Sequence, residues 1–285
     1  VENTVNVFRG QTLKTTATIY RRDLGRQASK DMYENETGYR NQDVELSSVD
    51  LLEHIRQIQA ESEIPQSDHL VTTIGLGCCS LDIEMETGTG KTYVYIKTMF
   101  EMNKRYGWSK FIVVVPSIAI REGVMKSFTM LEDHFMELYG RKAHVFVYSS
   151  SNLQEIDNFS SDAGINVMII NVQAFNTSFK EGAKNKESRI IYTKRDDFQS
   201  RRPIDVIAAN RPIMIMDEPQ KLDGKVTQQS LKNFKPLFLL NYSATHKTSH
   251  NCIYALDALD AYKKKLVKKL QVKGITLQNL MGTQA

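Results

Sequence analysis

The amino-acid sequence predicts an α/β protein built on a mostly parallel sheet with helices on both faces. Short apolar runs recur along the chain, stretches with helical spacing separate them, and a glycine-rich turn joins the first clear strand to the helix after it. At 285 residues, 41% hydrophobic and 25% charged, the chain is long enough for one large or two small domains with a real core.

Residues 1–48 are polar with little periodicity and are not placed in the sheet. A helix is expected to begin near Ser48, where Leu51, Leu52, Ile55 and Ile58 share a face. The strand at 80–86 leads through the glycine turn into a helix over Lys91–Tyr106, with Val94, Ile96, Met99 and Phe100 at helical spacing and Gly107 at its end. The run 111–115 is continuously apolar, as in a strand buried on both faces, and a second helix follows over Ile118–Tyr139, closed by Gly140. Strand patterns return at 143–148, 167–172, 213–216 and 237–242. Residues 177–202 break this rhythm, and their mixed charges predict a surface insertion between strands.

No apolar run approaches the ~20 residues needed to cross a bilayer. No signal-peptide pattern opens the chain, so neither a membrane nor a secreted protein is expected. Cys78, Cys79 and Cys252 have neither disulfide-framework nor zinc spacing, which fits a reducing cytoplasm. The net charge of +4 includes Lys263, Lys264, Lys265, Lys268, Lys269 and Lys273 in one acid-free window, so the remainder is slightly acidic. A pI near 8.8 lies below the roughly 9 typical of basic nucleic-acid-binding domains, and the lysine window reads as a solvated face or, second, as a DNA-facing strip. The chain opens on Val1 and stops at Ala285 without a closing element, as expected of a fragment.

The chemistry concentrates at Thr87, Gly88, Thr89, Gly90, Lys91 and Thr92, between a strand and a helix N-terminus, where backbone N–H groups and the helix dipole cradle a polyphosphate. In the G-x-x-x-x-G-K-[ST] pattern the first glycine is replaced by Met85, so the match rests on the later G-K-T part. Gly88 and Gly90 admit phosphate without a Cβ clash, Lys91 supplies charge to the β and γ phosphates of ATP, and Thr92 offers its hydroxyl to Mg²⁺. After the apolar run 213–216, Asp217 is placed to hold the metal and Glu218 to orient or deprotonate water. Small-molecule kinases share such a loop and metal acid, but they exclude water. The adjacent glutamate points to a hydrolase.

The stretch 86–92, with Asp217, Glu218, Pro219 and Gln220, and with Ser243, Ala244, Thr245 and His246, resembles motifs I, II and III of superfamily 2 helicases. Their order and spacing resemble a single RecA-like lobe with the P-loop NTPase fold. More narrowly, the chain from about residue 51 to 273 is similar to the Res subunit of type III restriction enzymes. That resemblance implies an ATP-driven motor on duplex DNA, working with a modification subunit that recognises sequence and methylates, while a separate nuclease domain cuts. It also implies that Gln220, Ser243 and Thr245 couple nucleotide state to the lobe interface. Pro116, Ser117 and Arg121 resemble motif Ia, which contacts a nucleic-acid backbone, and Asn171 and Gln173 occupy a similar contact position. Ser117 and Arg121 also fit a plain role at the start of the helix beginning there. The organisation expected is an unplaced segment 1–48, an ATPase lobe 49–255 with the insertion 177–202, and a connector 256–285 toward a second lobe.

Some family features are missing. No adenine-recognising glutamine motif is identified, and Gln57, Gln59 and Gln66 are read as solvated helix residues. His134 and His144 are read as packed or exposed rather than as ligands. Neither a second lobe with its arginines nor a nuclease constellation is found, so the isolated chain is expected to bind ATP weakly, hydrolyse it slowly and cut nothing. An RNA helicase or remodelling ATPase lobe, and a nucleotide-responsive clamp, remain alternatives.

Overall fold

The computed structural model describes residues 1–22, 37–72, 75–176, 189–222, 224–245 and 250–268. A short antiparallel ribbon pairs β1 (Thr18–Arg21) with β2 (Thr37–Arg40). The main sheet contains β3 (Ser80–Met85), β4 (Lys110–Val115), β5 (Ala143–Val147), β6 (Ile165–Asn171), β7 (Ile213–Asp217), β8 (Leu239–Ser243) and β9 (Asn251–Leu256). Its order is β5-β6-β4-β7-β8-β3-β9, with every neighbouring pair parallel. The parallel α/β architecture is therefore as the sequence predicts.

Alternation along each strand sends side chains to two cores. On one face Leu81, Ile83, Val113, Ile215, Leu240 and Tyr242 meet Ile55, Ile96 and Phe135 from the helices Ser48–Glu61, Lys91–Tyr106 and Ile118–Tyr139. On the other, Ile112, Val114, Met168, Met214 and Met216 meet Ile156, Phe159 and Ile207 from the helices Gln154–Ser161 and Pro203–Ala209. The second face changes character at β8 and β3. There Asn241, Ser80 and Asp82 are buried at 2%, 5% and 2% exposure, at positions where β4 and β7 carry isoleucine, valine or methionine.

The helices Lys91–Tyr106 and Ile118–Tyr139 end where the sequence places their ends. Gly107 and Gly140 take left-handed φ of 79° and 67°, which only glycine adopts without strain, and each N–H returns to a carbonyl of the last turn. The Ser48–Glu61 helix starts with a capping box between Ser47 and Asp50.

Described residues within 1–48 pack into the fold. Val5, Val7 and Phe8 are fully buried in the first core. Asn41 closes the lower edge of the sheet: its Oδ1 accepts from the N–H groups of Ser109 (2.8 Å) and Lys110 (3.0 Å), and its Nδ2 donates to the carbonyls of Lys110 (2.8 Å) and Arg211 (2.9 Å). The segment 177–202 is described only in its second half. Residues 177–188 lie outside the described residues, and within the rest Ile191, Phe198 and Arg201 are buried, Arg201 through a bidentate pair with Asp157 at 2.8 and 2.7 Å. Gln59 is not solvated either. At 1% exposure it bonds the carbonyl of Cys252 and both the N–H and hydroxyl of Ser67, each at 2.8 Å. Finally, β9 runs to Leu256, one residue beyond the lobe boundary at 255, and was not anticipated as a strand. Among the described residues no helix is long and apolar enough to cross a membrane.

Candidate nucleotide site

Parallel strands bring their C-terminal ends to one edge of the sheet. Lys91 follows β3, Glu218 follows β7, and β8 lies between those strands with Ser243 at its end. Across that gap the Lys91 Nζ stands 3.2 Å from Glu218 Oε1 and also donates to the Met85 carbonyl at 3.3 Å. Gln220 Nε2 donates to Glu218 Oε2. Ser243 Oγ lies within hydrogen-bond distance of two acceptors for its one proton, Gln220 Oε1 at 2.8 Å and the Thr245 carbonyl at 2.7 Å, approaches Glu218 Oε2 at 3.5 Å, and accepts from the Thr245 N–H at 3.1 Å. The structure thus joins Lys91, Glu218, Gln220, Ser243 and Thr245 in one network. His246 lies outside the described residues.

The loop before the helix is built for close backbone approach. Gly88 and Gly90 have φ of +83° and +91°, and a Cβ placed on either would meet no atom within 4 Å. Thr89 Oγ1 donates to the Glu86 carbonyl at 2.6 Å, and the Thr87 N–H donates to the Glu86 carboxylate at 2.7 Å, so one loop amide already faces an anionic oxygen. Thr87, Gly88 and Gly90 are exposed, whereas Lys91 and Thr92 are half-buried. Met85, which replaces the first glycine of the pattern, is still in the strand and packs its side chain at 4% exposure into the core.

Burial, reinforced by the adjacent Glu218 charge and opposed by Lys91, pushes the Asp217 carboxyl up to about 6. Burial would raise Glu218 too, but hydrogen bonds from Gln220 and Lys91, with the charges of Lys91 and Lys221, hold it below its ordinary value. Burial and then the Asp217 charge push the Tyr95 phenol well up, and the Thr92 hydroxyl opposes them. Glu218 itself sits at φ 57°, ψ 58°, a left-handed conformation that costs a non-glycine residue about 1–3 kcal/mol and clusters at functional sites. Open space over two glycines, with Lys91 reaching the acid that follows β7, fits a triphosphate, and Thr92 and Asp217 carry the oxygens that would hold its Mg²⁺. Mg²⁺ commonly takes one or two protein oxygens and completes its shell with phosphate and water.

A second cluster stands at the ends of β4 and β6. Gln173 Nε2 donates to the Pro116 carbonyl at 3.3 Å, Asn171 Nδ2 donates to Gln173 Oε1 at 2.9 Å, and Arg121 Nη1 reaches Asn171 Oδ1 at 3.5 Å. Gln173 is exposed, while Asn171 is 5% exposed. Ser117 caps the Ile118–Tyr139 helix by accepting from the Ile120 N–H at 3.4 Å, so its hydroxyl has a structural task. Arg121 also pairs with Glu122 at 2.8 Å. His134 and His144 bond Tyr93 and Glu155. Sequence reasoning missed Asp82 and His250, whose contact joins residues 168 apart and leaves no local pattern.

The profile of the family described as "Type III restriction enzyme, res subunit" matches residues 77–248, more than half of the chain. Among curated proteins, the chain is 32% identical over 244 residues to the Res subunit of the type III restriction-modification enzyme EcoP15I from Escherichia coli. It is 29% identical over 242 residues to the EcoPI Res subunit of Escherichia phage P1. Each alignment covers 80% of this chain and 24% of the relative, so the chain spans about a quarter of their length. A solved nuclease-deletion mutant of the Type ISP restriction-modification enzyme LlaGI, in complex with a DNA substrate mimic, aligns at TM-score 0.43 and 14% identity. That alignment covers 78% of this chain and 21% of the other, a likeness too distant to build on. On the profile match, and with the phosphate loop and acid pair inside it, the chain belongs to the type III restriction enzyme Res subunit family.

Proposed function

We propose that this chain is the ATP-binding and hydrolysing motor lobe of a type III Res subunit, driving translocation or switching on duplex DNA, with cleavage left to a separate nuclease domain. The observation that carries this reading is the 3.2 Å contact of Lys91 with Glu218 across the end of β8, which puts the loop and the acid pair at one site. In this reading residues 49–255 form the ATPase lobe and 256–285 the connector.

The roles follow from the geometry. The backbone of Thr87, Gly88, Thr89 and Gly90 and the Lys91 ammonium would hold the phosphates, and Thr92 and Asp217 would hold Mg²⁺. The bound metal neutralises charge that develops on the phosphate oxygens. Glu218, kept ionised by its partners, is suited to orient water or accept its proton. Gln220, Ser243 and Thr245 share hydrogen bonds with Glu218, so a change there reaches the end of β8. Pro116, Ser117, Arg121, Asn171 and Gln173, on the same edge of the sheet, would meet a DNA backbone. The partner implied is a modification subunit that supplies recognition and methylation.

The test is Lys91→Ala and Glu218→Gln in the complete subunit, assayed for ATP-dependent DNA cleavage and for assembly with the modification subunit. Loss of cleavage with assembly intact is the expected result. Unimpaired cleavage in both variants would remove the proposal.

A further inference from the structure

Parallel strands in the middle of a sheet are ordinarily apolar on both faces, because helices cover both. β3 departs from this. Asp82, at 2% exposure, lies in a strand paired on both sides, next to the edge strand β9, level with Asn241 of β8 on one side and Cys252 of β9 on the other. A buried carboxylate is costly unless hydrogen bonds satisfy it. Asp82 Oδ1 accepts from Asn241 Nδ2 at 2.8 Å and from His250 Nδ1 at 2.9 Å, and Oδ2 accepts from the His250 backbone N–H at 2.8 Å. The ring Nδ1 is closer to the carboxylate, at 2.9 Å, than to Asn241 Nδ2, at 3.4 Å, and an ionised carboxylate only accepts, which favours the tautomer with the proton on Nδ1. Asn241 Nδ2 also reaches Ser80 Oγ at 2.9 Å.

Asp82 and Asn241 lie in β3 and β8, His250 immediately precedes β9, and all three strands end beside the nucleotide site. β3 carries Asp82 and runs into the phosphate loop. β8 carries Asn241, and two residues later on the same face comes Ser243, which bonds Gln220 and Thr245. His250 immediately precedes β9, whose last residue, Leu256, accepts from the Glu86 N–H at 3.1 Å, at the base of the loop. β8 lies on one flank of β3 and β9 on the other, so Asp82 stands between the strand that bears Asn241 and Ser243 and the strand that His250 precedes. Apolar replacements of buried charged pairs are often neutral for stability, so packing alone gives no reason for a carboxylate here.

We infer that Asp82, Asn241 and His250 are positioning residues that tie the phosphate loop to the coupling segment at 243–245. The inference rests on the motor reading above and adds to it the element that transmits between its two ends. None of the three touches the reacting atoms. Asp82 grips the return of the chain by both the backbone and the ring of His250, so the strand under the loop and the strand bearing Ser243 move together.

The test uses the complete subunit with its modification partner. It measures ATP turnover with and without duplex DNA, the KM for ATP and the thermal midpoint. The His250 side chain is 22% exposed, so its truncation is compatible with folding. His250→Ala is expected to lower the DNA-stimulated kcat about 10-fold, within the usual range of coupling between sites. KM for ATP should stay within about twofold, since ground-state binding is untouched. His250→Asn, whose amide can replace Nδ1–H as donor, is expected to restore most of the stimulation. In an Asp82→Asn background, His250→Ala should add nothing, because the contact is already altered. Full stimulation in His250→Ala would overturn the inference, as would a parallel loss of ATP affinity and thermal stability. A wild-type subunit that ignores DNA would overturn the motor reading and this inference with it.

Discussion

In β4 and β6 the runs 111–115 and 167–170 are apolar throughout, so both faces of that half of the sheet are closed by packing. In β3 and β8 one face is closed the same way and the other holds Ser80, Asp82 and Asn241. Packing is non-directional and tolerates small slides, whereas hydrogen bonds to a buried carboxylate fix register. One half behaves as scaffold and the other sets the geometry of the nucleotide edge.

That contrast is broken or sharpened by substitutions on either side. The largest effect is expected at the nucleotide edge: Glu218→Gln should cut ATP turnover by about 10²–10⁴-fold, the usual contribution of a positioned base, with little change in the urea midpoint. A variant that instead unfolds would make Glu218 part of the scaffold. In the apolar half, Ile169→Ala should destabilise by about 2–5 kcal/mol in denaturant titration while the folded protein keeps its KM for ATP. Lys110 provides a pH test at the lower edge of that half. Its Nζ donates to the carbonyls of Phe159 (2.6 Å) and Asp162, and burial, opposed by Asp162, lowers its pKa from 10.5 to about 7. For an amine whose folded pKa is lowered, the unfolded chain binds the extra proton between those values. Stability should therefore rise with pH from about 7 toward 10.5 relative to Lys110→Met. A flat difference between the two proteins would mean that the amine keeps its charge. The smallest effect is expected at the second cluster: Arg121→Ala should weaken DNA binding modestly and reduce its salt slope by about one, and an unchanged slope would take Arg121 off the DNA path.

Legibility follows the same division. The helices Lys91–Tyr106 and Ile118–Tyr139 could be bounded to the residue because glycine ends each, and the phosphate loop and acid pair are contiguous in sequence. β9 escaped because it begins Asn251, Cys252 and alternates weakly, reading as loop until β3 is beside it. Asn41, Gln59 and Asp82 escaped for another reason: each is a polar residue buried by partners 8 to 193 positions away, and a sequence carries no mark of a hydrogen bond at that distance. The role of Ser117 was divided between cap and contact, and the structure supplies the cap.

β8 keeps β3 and β7 from ever pairing with one another. At the usual interstrand spacing, the strands bearing the lysine and the glutamate stand roughly 9–10 Å apart, and their side chains must reach inward over a third strand to meet. That strand is in effect a ruler laid between two jaws. Any force on its tip, where Ser243 sits, alters the gap from within, so a signal from a neighbouring lobe need not push on either jaw to change how firmly they close.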